Sequence, residues 1–228
     1  MSIAPVGYLG TNFSSASPAP TAPAGSDGDI LLAWCATDSN HTILNVPTGW
    51  TQVGSSEAQA ADTTVSAFRK FRSGTETAFT FTDLFDALEN GRFGILAYSG
   101  VDLTTPLDVT VVQGNAGAAT GHTSASITPV TAGAKVVSMW GTDPGADPRT
   151  VTVSDHTGRV GTSPNFGENN GTSGWIYGGD SDWTSGAVTH GITFNASDNQ
   201  AHFVVALRPA DLAVFVPKVD VMRAILAQ

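Results

Sequence analysis

Residues 23–38 read PAGSDGDILLAWCATD, and residues 129–143 read PVTAGAKVVSMWGTD. The second stretch restates the first, with Gly133, Thr142 and Asp143 falling where Gly28, Thr37 and Asp38 stand. Further echoes keep the same order. Thr48-Gly49 returns as Thr157-Gly158, Ser73-Gly74 as Ser185-Gly186, residues 77–81 (TAFTF) as 190–194 (HGITF), and Ile95-Leu96-Ala97 as Val204-Val205-Ala206. An offset that drifts only from about 105 to 113 residues is the mark of a duplicated half-domain. The repeat carries packing and turn chemistry and no row of catalytic side chains, which favours a structural or binding protein over an enzyme.

The repeated runs also set the fold class. Residues 30–34 and 95–98 are almost continuously apolar, as are their copies 136–140 and 203–207, so each half supplies two central strands covered on both faces. Residues 64–71 and 150–154 alternate polar and apolar, as strands with one wet face do. The remaining expected strands are 6–13, 51–55, 78–82, 107–113, 124–127, 173–177 and 187–194. All are rich in Val, Thr, Phe, Ile and Tyr and set off by Gly, Pro, Asn, Asp or Ser. Short strands with frequent turns predict an all-β, jelly-roll-like antiparallel sandwich. The expected organisation is one domain over residues 1–210, with pseudo-repeat halves of about 1–105 and 106–210 sharing a core. Residues 101–118 at the join are partly apolar and strand-like, which argues against two tandem domains. Residues 14–26, with three prolines, read as an extended crossing or surface loop.

Composition removes several functions. The net charge is −10, and the ten Lys and Arg are scattered, so no basic footprint for nucleic acid exists. No run is long enough to span a bilayer, and the N-terminus has neither the charged nor the apolar region of a secretory signal. Synthesis and folding in a cytoplasm are therefore expected. Cys35, the single cysteine, sits in an apolar run and reads as a small buried hydrophobe.

Candidate chemistry is sparse. The five histidines, 41, 122, 156, 190 and 202, show no zinc spacing. Asp143 and Asp147, or Asp180 and Asp182, could offer oxygen ligands to Ca²⁺, although turn formation is the simpler reading. Glu57, Glu76, Glu89 and Glu168 could meet in a groove only through folding. No catalytic residue, metal site or cofactor is expected. Trp50, Trp175 and Trp183 lie in polar, Gly-rich surroundings and could present exposed rings that stack on a sugar, making a host-surface glycan a possible partner. After Pro209 the chain continues into residues 211–228. There Pro217 can open a short helix, and Val214, Phe215, Val216, Val219, Met222, Ile225 and Leu226 supply an apolar docking surface for a neighbouring subunit or an assembly.

Read together, Gly28-Asp29, Gly49-Trp50, Tyr98-Ser99-Gly100-Val101 and Leu207-Arg208-Pro209, in the order GDILLAWCATDSN, PTGWTQVGSS, GRFGILAYSGVD, HFVVALRPA, resemble a family of jelly-roll sandwich domains. Members occur in virion proteins of bacteriophages that infect actinobacteria and in some bacterial surface proteins. The resemblance spans about residues 6–210. It implies no catalytic residues. It does imply a virion structural protein assembled in the host cytoplasm, foremost a capsid decoration or cement protein. The alternatives are a minor tail protein and, from another class, a glycan-binding adhesion module. Its partners would be the major capsid protein or another virion protein, and copies of itself, with a trimer suggested by icosahedral three-fold sites.

Overall fold

The computed structural model describes residues 2–37, 40–59, 63–74, 76–87, 90–142, 150–160 and 174–211. Among these there is no helix, and the chain forms an antiparallel β-sandwich. Five strands, β1 (Ala4–Ser14), β2 (Ile30–Thr37), β3 (Thr51–Gln59), β4 (Thr63–Phe71) and β5 (Asn90–Ser99), make one sheet in the order β1-β5-β2-β4-β3. The other sheet holds β6 (Val112–Thr123), β7 (Lys135–Thr142), β8 (Val151–Thr152), β9 (Thr157–Val160), β10 (Trp175–Asp182) and β11 (Gly191–Leu207). Its order is β6-β11-β7-β10-β9, with β8 paired to β11. Position by position the two orders correspond, so each half of the chain closes as one whole sheet. The repeat in sequence is a repeat of sheet topology.

The echoed residues fall at matching places. Ile30–Thr37 and Lys135–Thr142, the strands of the opening quotation, are both central and buried along their whole length. Gly28 and Gly133 each adopt φ 83° just before them, and Gly74 and Gly186 adopt φ 63° and 73° after the matched strands β4 and β10. These are left-handed conformations that glycine enters without a Cβ penalty, which is why the turns conserve glycine between the two copies. The motifs that carry the family resemblance also meet in space: Val101 bridges Pro209, and the Asp102 N–H donates to the Arg208 carbonyl at 2.9 Å.

Between the sheets lies a core drawn from both halves, including Leu32, Trp34, Leu96, Val137, Met139, Phe203 and Val205. Trp34 is fully buried, and its indole N–H donates to the Trp140 carbonyl in the opposite sheet at 3.1 Å. Room for the ring comes from Gly94 and Gly178, one from each sheet. A Cβ added there would stand 2.5 and 2.6 Å from the Trp34 ring. At the seams β3 lies against β6 and β1 against β9. The first seam is closed by polar bonds, with the Ser55 N–H donating to Gln113 Oε1 at 3.1 Å and the Asn115 amide donating to Glu57 Oε1 at 2.5 Å.

Several strand expectations need correction. Residues 78–82 form only an isolated bridge, Thr21 to Ala78, with the Phe79 and Phe81 N–H groups donating to the Pro20 and Pro18 carbonyls, both at 2.9 Å. Proline lacks an N–H but keeps its carbonyl, so the proline-rich segment serves as an acceptor edge. Residues 187–194 and 202–207 are not two strands, since β11 runs unbroken through 195–201. Thr157-Gly158, read as a turn echoing Thr48-Gly49, instead begins β9. The C-terminal helix and the docking residues Val214, Phe215, Val216, Val219, Met222, Ile225 and Leu226 lie outside the described residues.

Candidate functional site

Strand pairing allows the outer faces of the two sheets to be compared residue for residue. In the first sheet the cross-strand rows are Ser66–Cys35–Phe93, Phe68–Ala33–Ile95 and Lys70–Leu31–Ala97. The matching rows of the second are Tyr177–Trp140–His202, Gly179–Ser138–Val204 and Ser181–Val136–Ala206. Phe68, Ala33 and Phe93 of one sheet thus become Gly179, Ser138 and His202 of the other. The first outer face is one continuous apolar cluster, in which Phe79, Phe81, Leu84 and Phe85 cover β2, β4 and β5. The second is split into two small clusters, one around Trp140, Trp175 and Phe194 and one around Ile127, Val136 and Val204.

Polar side chains fill the gap. His190 is buried, with Nδ1 2.9 Å from Ser138 Oγ and Nε2 2.8 Å from Ser181 Oγ. Its ring stacks on His156 with centroids 4.2 Å apart and planes 9° from parallel. His156 is held in turn by the Asp155 carboxylate at Nδ1 and by the Tyr177 hydroxyl at 2.8 Å from Nε2. With Nδ1–H donating to the carboxylate, Nε2 accepts from the tyrosine. Gly179 makes this possible, because a Cβ there would stand 2.6 Å from the His156 ring. Burial, followed by the neighbouring His156, lowers His190 to about 4, while burial pushes the Tyr177 phenol up.

On the inner side of β10 lies a charged cluster. Asp180 is 2% exposed and receives Arg159 Nε at 2.7 Å and Nη2 at 3.1 Å, the Tyr98 hydroxyl at 3.0 Å, and Lys135 Nζ at 3.5 Å. Despite burial, these donors and cations hold its carboxyl below the usual carboxylate range. Tyr98 belongs to the first sheet, so the cluster ties the two halves together through ionised, fully donated bonds.

The residues singled out from the sequence fall as follows. Asp180 and Asp182 stand on a strand and are answered by cations, Asp182 by Lys135 at 2.5 Å, which is not the open oxygen cage that Ca²⁺ requires. Asp143 and Asp147 lie outside the described residues. Glu57 is bound by Gln113 and Asn115, Glu76 pairs with Lys70, and Glu89 and Glu168 are outside the described residues. Cys35 is fully buried and burial drives its thiol far up, as the apolar setting implied. His41 bridges Thr37 Oγ1 at 2.6 Å and Ser66 Oγ at 3.3 Å, and His202 accepts the Ala125 N–H at 2.8 Å. Among the described residues no group of three or more His, Cys, Asp and Glu side chains could hold a metal ion, and no helix is long and apolar enough to cross a membrane.

Two of the three tryptophans expected to be exposed are buried. Trp175 is 1% exposed, packed edge-on against Phe194. Trp50 is 8% exposed and closes the first outer cluster against Phe79 and Phe81. Trp183 is half-buried against the Ile127 cluster, donating its indole N–H to the Gly186 carbonyl at 2.8 Å. Polar neighbours in sequence misled here, because the apolar partners arrive from distant strands and bridges. An open groove of about 360 Å³ between β6, β8 and β11, with His122, Thr152, Ile192 and Thr193 in its walls, has no tryptophan, tyrosine or phenylalanine in its lining. The histidine–serine seam was missed for the same reason: its members are scattered from Ser138 to His190, and only register unites them.

Comparison with known proteins gives no match to a family model, to a curated protein or to a solved structure.

Proposed function

We propose that this chain is a bacteriophage virion structural protein, most specifically a capsid decoration or cement protein bound to the outer shell. The observation that supports the reading is how the described side chains are spent. Inner and outer sheet faces are filled by the chain's own residues, and the polar groups with catalytic potential, Asp155, His156, His190 and Asp180, are taken up by internal bonds. Such a body works by holding a rigid shape, and binding the assembled state preferentially then stabilises the shell by mass action. The sequence resemblance supplies the class and the setting: a virion assembled in the host cytoplasm, with the major capsid protein or another virion protein as partner and a homo-oligomer, a trimer foremost, as the unit.

Residues 211–228 are the proposed docking segment, through Val214, Phe215, Val216, Val219, Met222, Ile225 and Leu226. Mass spectrometry with copy-number measurement on purified particles tests the proposal. Hundreds of copies on a regular lattice, lost on deletion of residues 211–228, are expected. A few copies at one vertex would make it a minor tail protein instead, and absence from particles would end the virion reading. With Trp50 and Trp175 buried, a glycan-binding module would need another surface, and no observation favours one.

A further inference from the structure

The stacked imidazoles of His156 and His190 have a position as well as a geometry. His156 lies in the short connection from β8 to β9, and this connection reaches the sheet through the histidine seam. The Asp155 carboxylate accepts the Gly191 N–H at 2.9 Å and holds His156, while His156 meets the Tyr177 hydroxyl and lies flat on His190. Beyond it, among the described residues, β9 pairs only with β10 and forms the edge of the second sheet. Whatever lifts His156 therefore loosens the strand that covers β10.

Neutral rings suit this arrangement and charged ones do not. One nitrogen of each neutral imidazole accepts: Nε2 of His156 accepts from Tyr177, and neutral His190 accepts from one of the Ser138 and Ser181 hydroxyls while donating to the other. A proton on His156 removes its acceptor. A proton on His190 places a cation in a buried slot whose nearest polar groups are Ser138 and Ser181. Two protons set like charges face to face at stacking distance. The surrounding charged and titratable groups do not all answer this. From the β8–β9 connection comes Asp155, from β10 Tyr177 and Asp180, and from β9 Arg159, which already occupies Asp180 with Lys135 of β7.

We propose that the His156–His190 stack is an acid-sensitive latch that holds the β8–β9 connection and β9 on the second sheet, and that proton uptake by the stack releases them and bares the edge of β10. The lowered titration of His190 agrees with the direction. This inference is independent of the virion reading.

Hydrogen exchange measured by mass spectrometry, corrected for the pH dependence of the intrinsic rate, tests it. Between pH 7 and about 4.5, amides of residues 155–160 and of β10 are expected to exchange at least ten-fold faster while β2 and β5 keep their protection. Two variants, His156→Phe and His190→Gln, each remove one proton acceptor, and either is expected to abolish the step, so a folding failure in one leaves the other. Asp155→Asn separates the remaining trigger. Acceleration spread evenly over both sheets, no step at all, a step that survives both histidine variants, or one that vanishes only with Asp155→Asn, would each overturn the latch.

Discussion

The two sheets share one strand order and differ in what covers them. On the first, Phe68, Ala33 and Phe93 lie under a lid of phenylalanines fastened to a proline-rich segment. On the second, Gly179, Ser138 and His202 stand at the same register and the cover is a network of hydrogen bonds. An apolar cover tolerates small shifts, because burial is non-directional. A polar cover is satisfied in one arrangement and costly in others, because a buried donor or acceptor left unpaired loses its full solvation. The duplicated frame therefore fixes topology, while the outer residues decide whether a face is insulated or responsive to conditions.

The largest effect tests the frame common to both. Trp34→Ala removes the ring seated between Gly94 and Gly178 and is expected to cost about 3–5 kcal/mol in urea denaturation. Both sheets should melt together in that experiment, as one cooperative unit. Next comes the tie between the halves. Asp180→Ala leaves Arg159 half-buried without its carboxylate, strips Tyr98 of its acceptor and leaves Lys135 only Asp182, and should cost about 3 kcal/mol, whereas an exposed pair contributes roughly 1 kcal/mol or less.

Acid should then separate the faces. His190 and His202 in the second half and His41 in the first are lowered to about 4, burial being the largest cause in each. The unfolded chain binds protons near the ordinary value of 6.5, so their stabilisation is complete above that pH and is lost as pH falls from 6.5 towards 4. A loss of roughly 2–3 kcal/mol for each histidine over this window is expected in chemical denaturation, and His41→Gln should remove a smaller share of the sum than His190→Gln and His202→Gln together. The smallest effect is the most direct comparison. Ser138→Ala installs the residue that Ala33 provides in the first sheet, but it strips a partner from His190 and should destabilise by about 1–2 kcal/mol. A neutral result would mean that the seam is only filler.

Much of the fold was legible because duplication and unbroken apolar runs are local signals. The central strands around Trp34 and Trp140, and the glycine turns at Gly28, Gly133, Gly74 and Gly186, could be placed from residue types alone. The burial of Trp50 and Trp175 could not, since Phe79, Phe81 and Phe194 reach them only after the chain has folded back. β6 was almost wholly missed, the expected strand 107–113 meeting it only at Val112 and Gln113, because residues 114–121, largely Gly and Ala, lack strand propensity and are held by pairing to β11.

By itself, then, the sequence determined that this is an all-β chain, acidic, built twice over on one pattern, because apolar periodicity, turn glycines and charge are properties of neighbours along the chain. Tertiary structure alone decided that each copy closes as its own sheet, that Asp180 is buried among Lys135, Arg159 and Tyr98, and that His156 lies on His190. Strand order and register, which join residues tens of positions apart, are set by which faces can be buried together, and no local pattern encodes that choice.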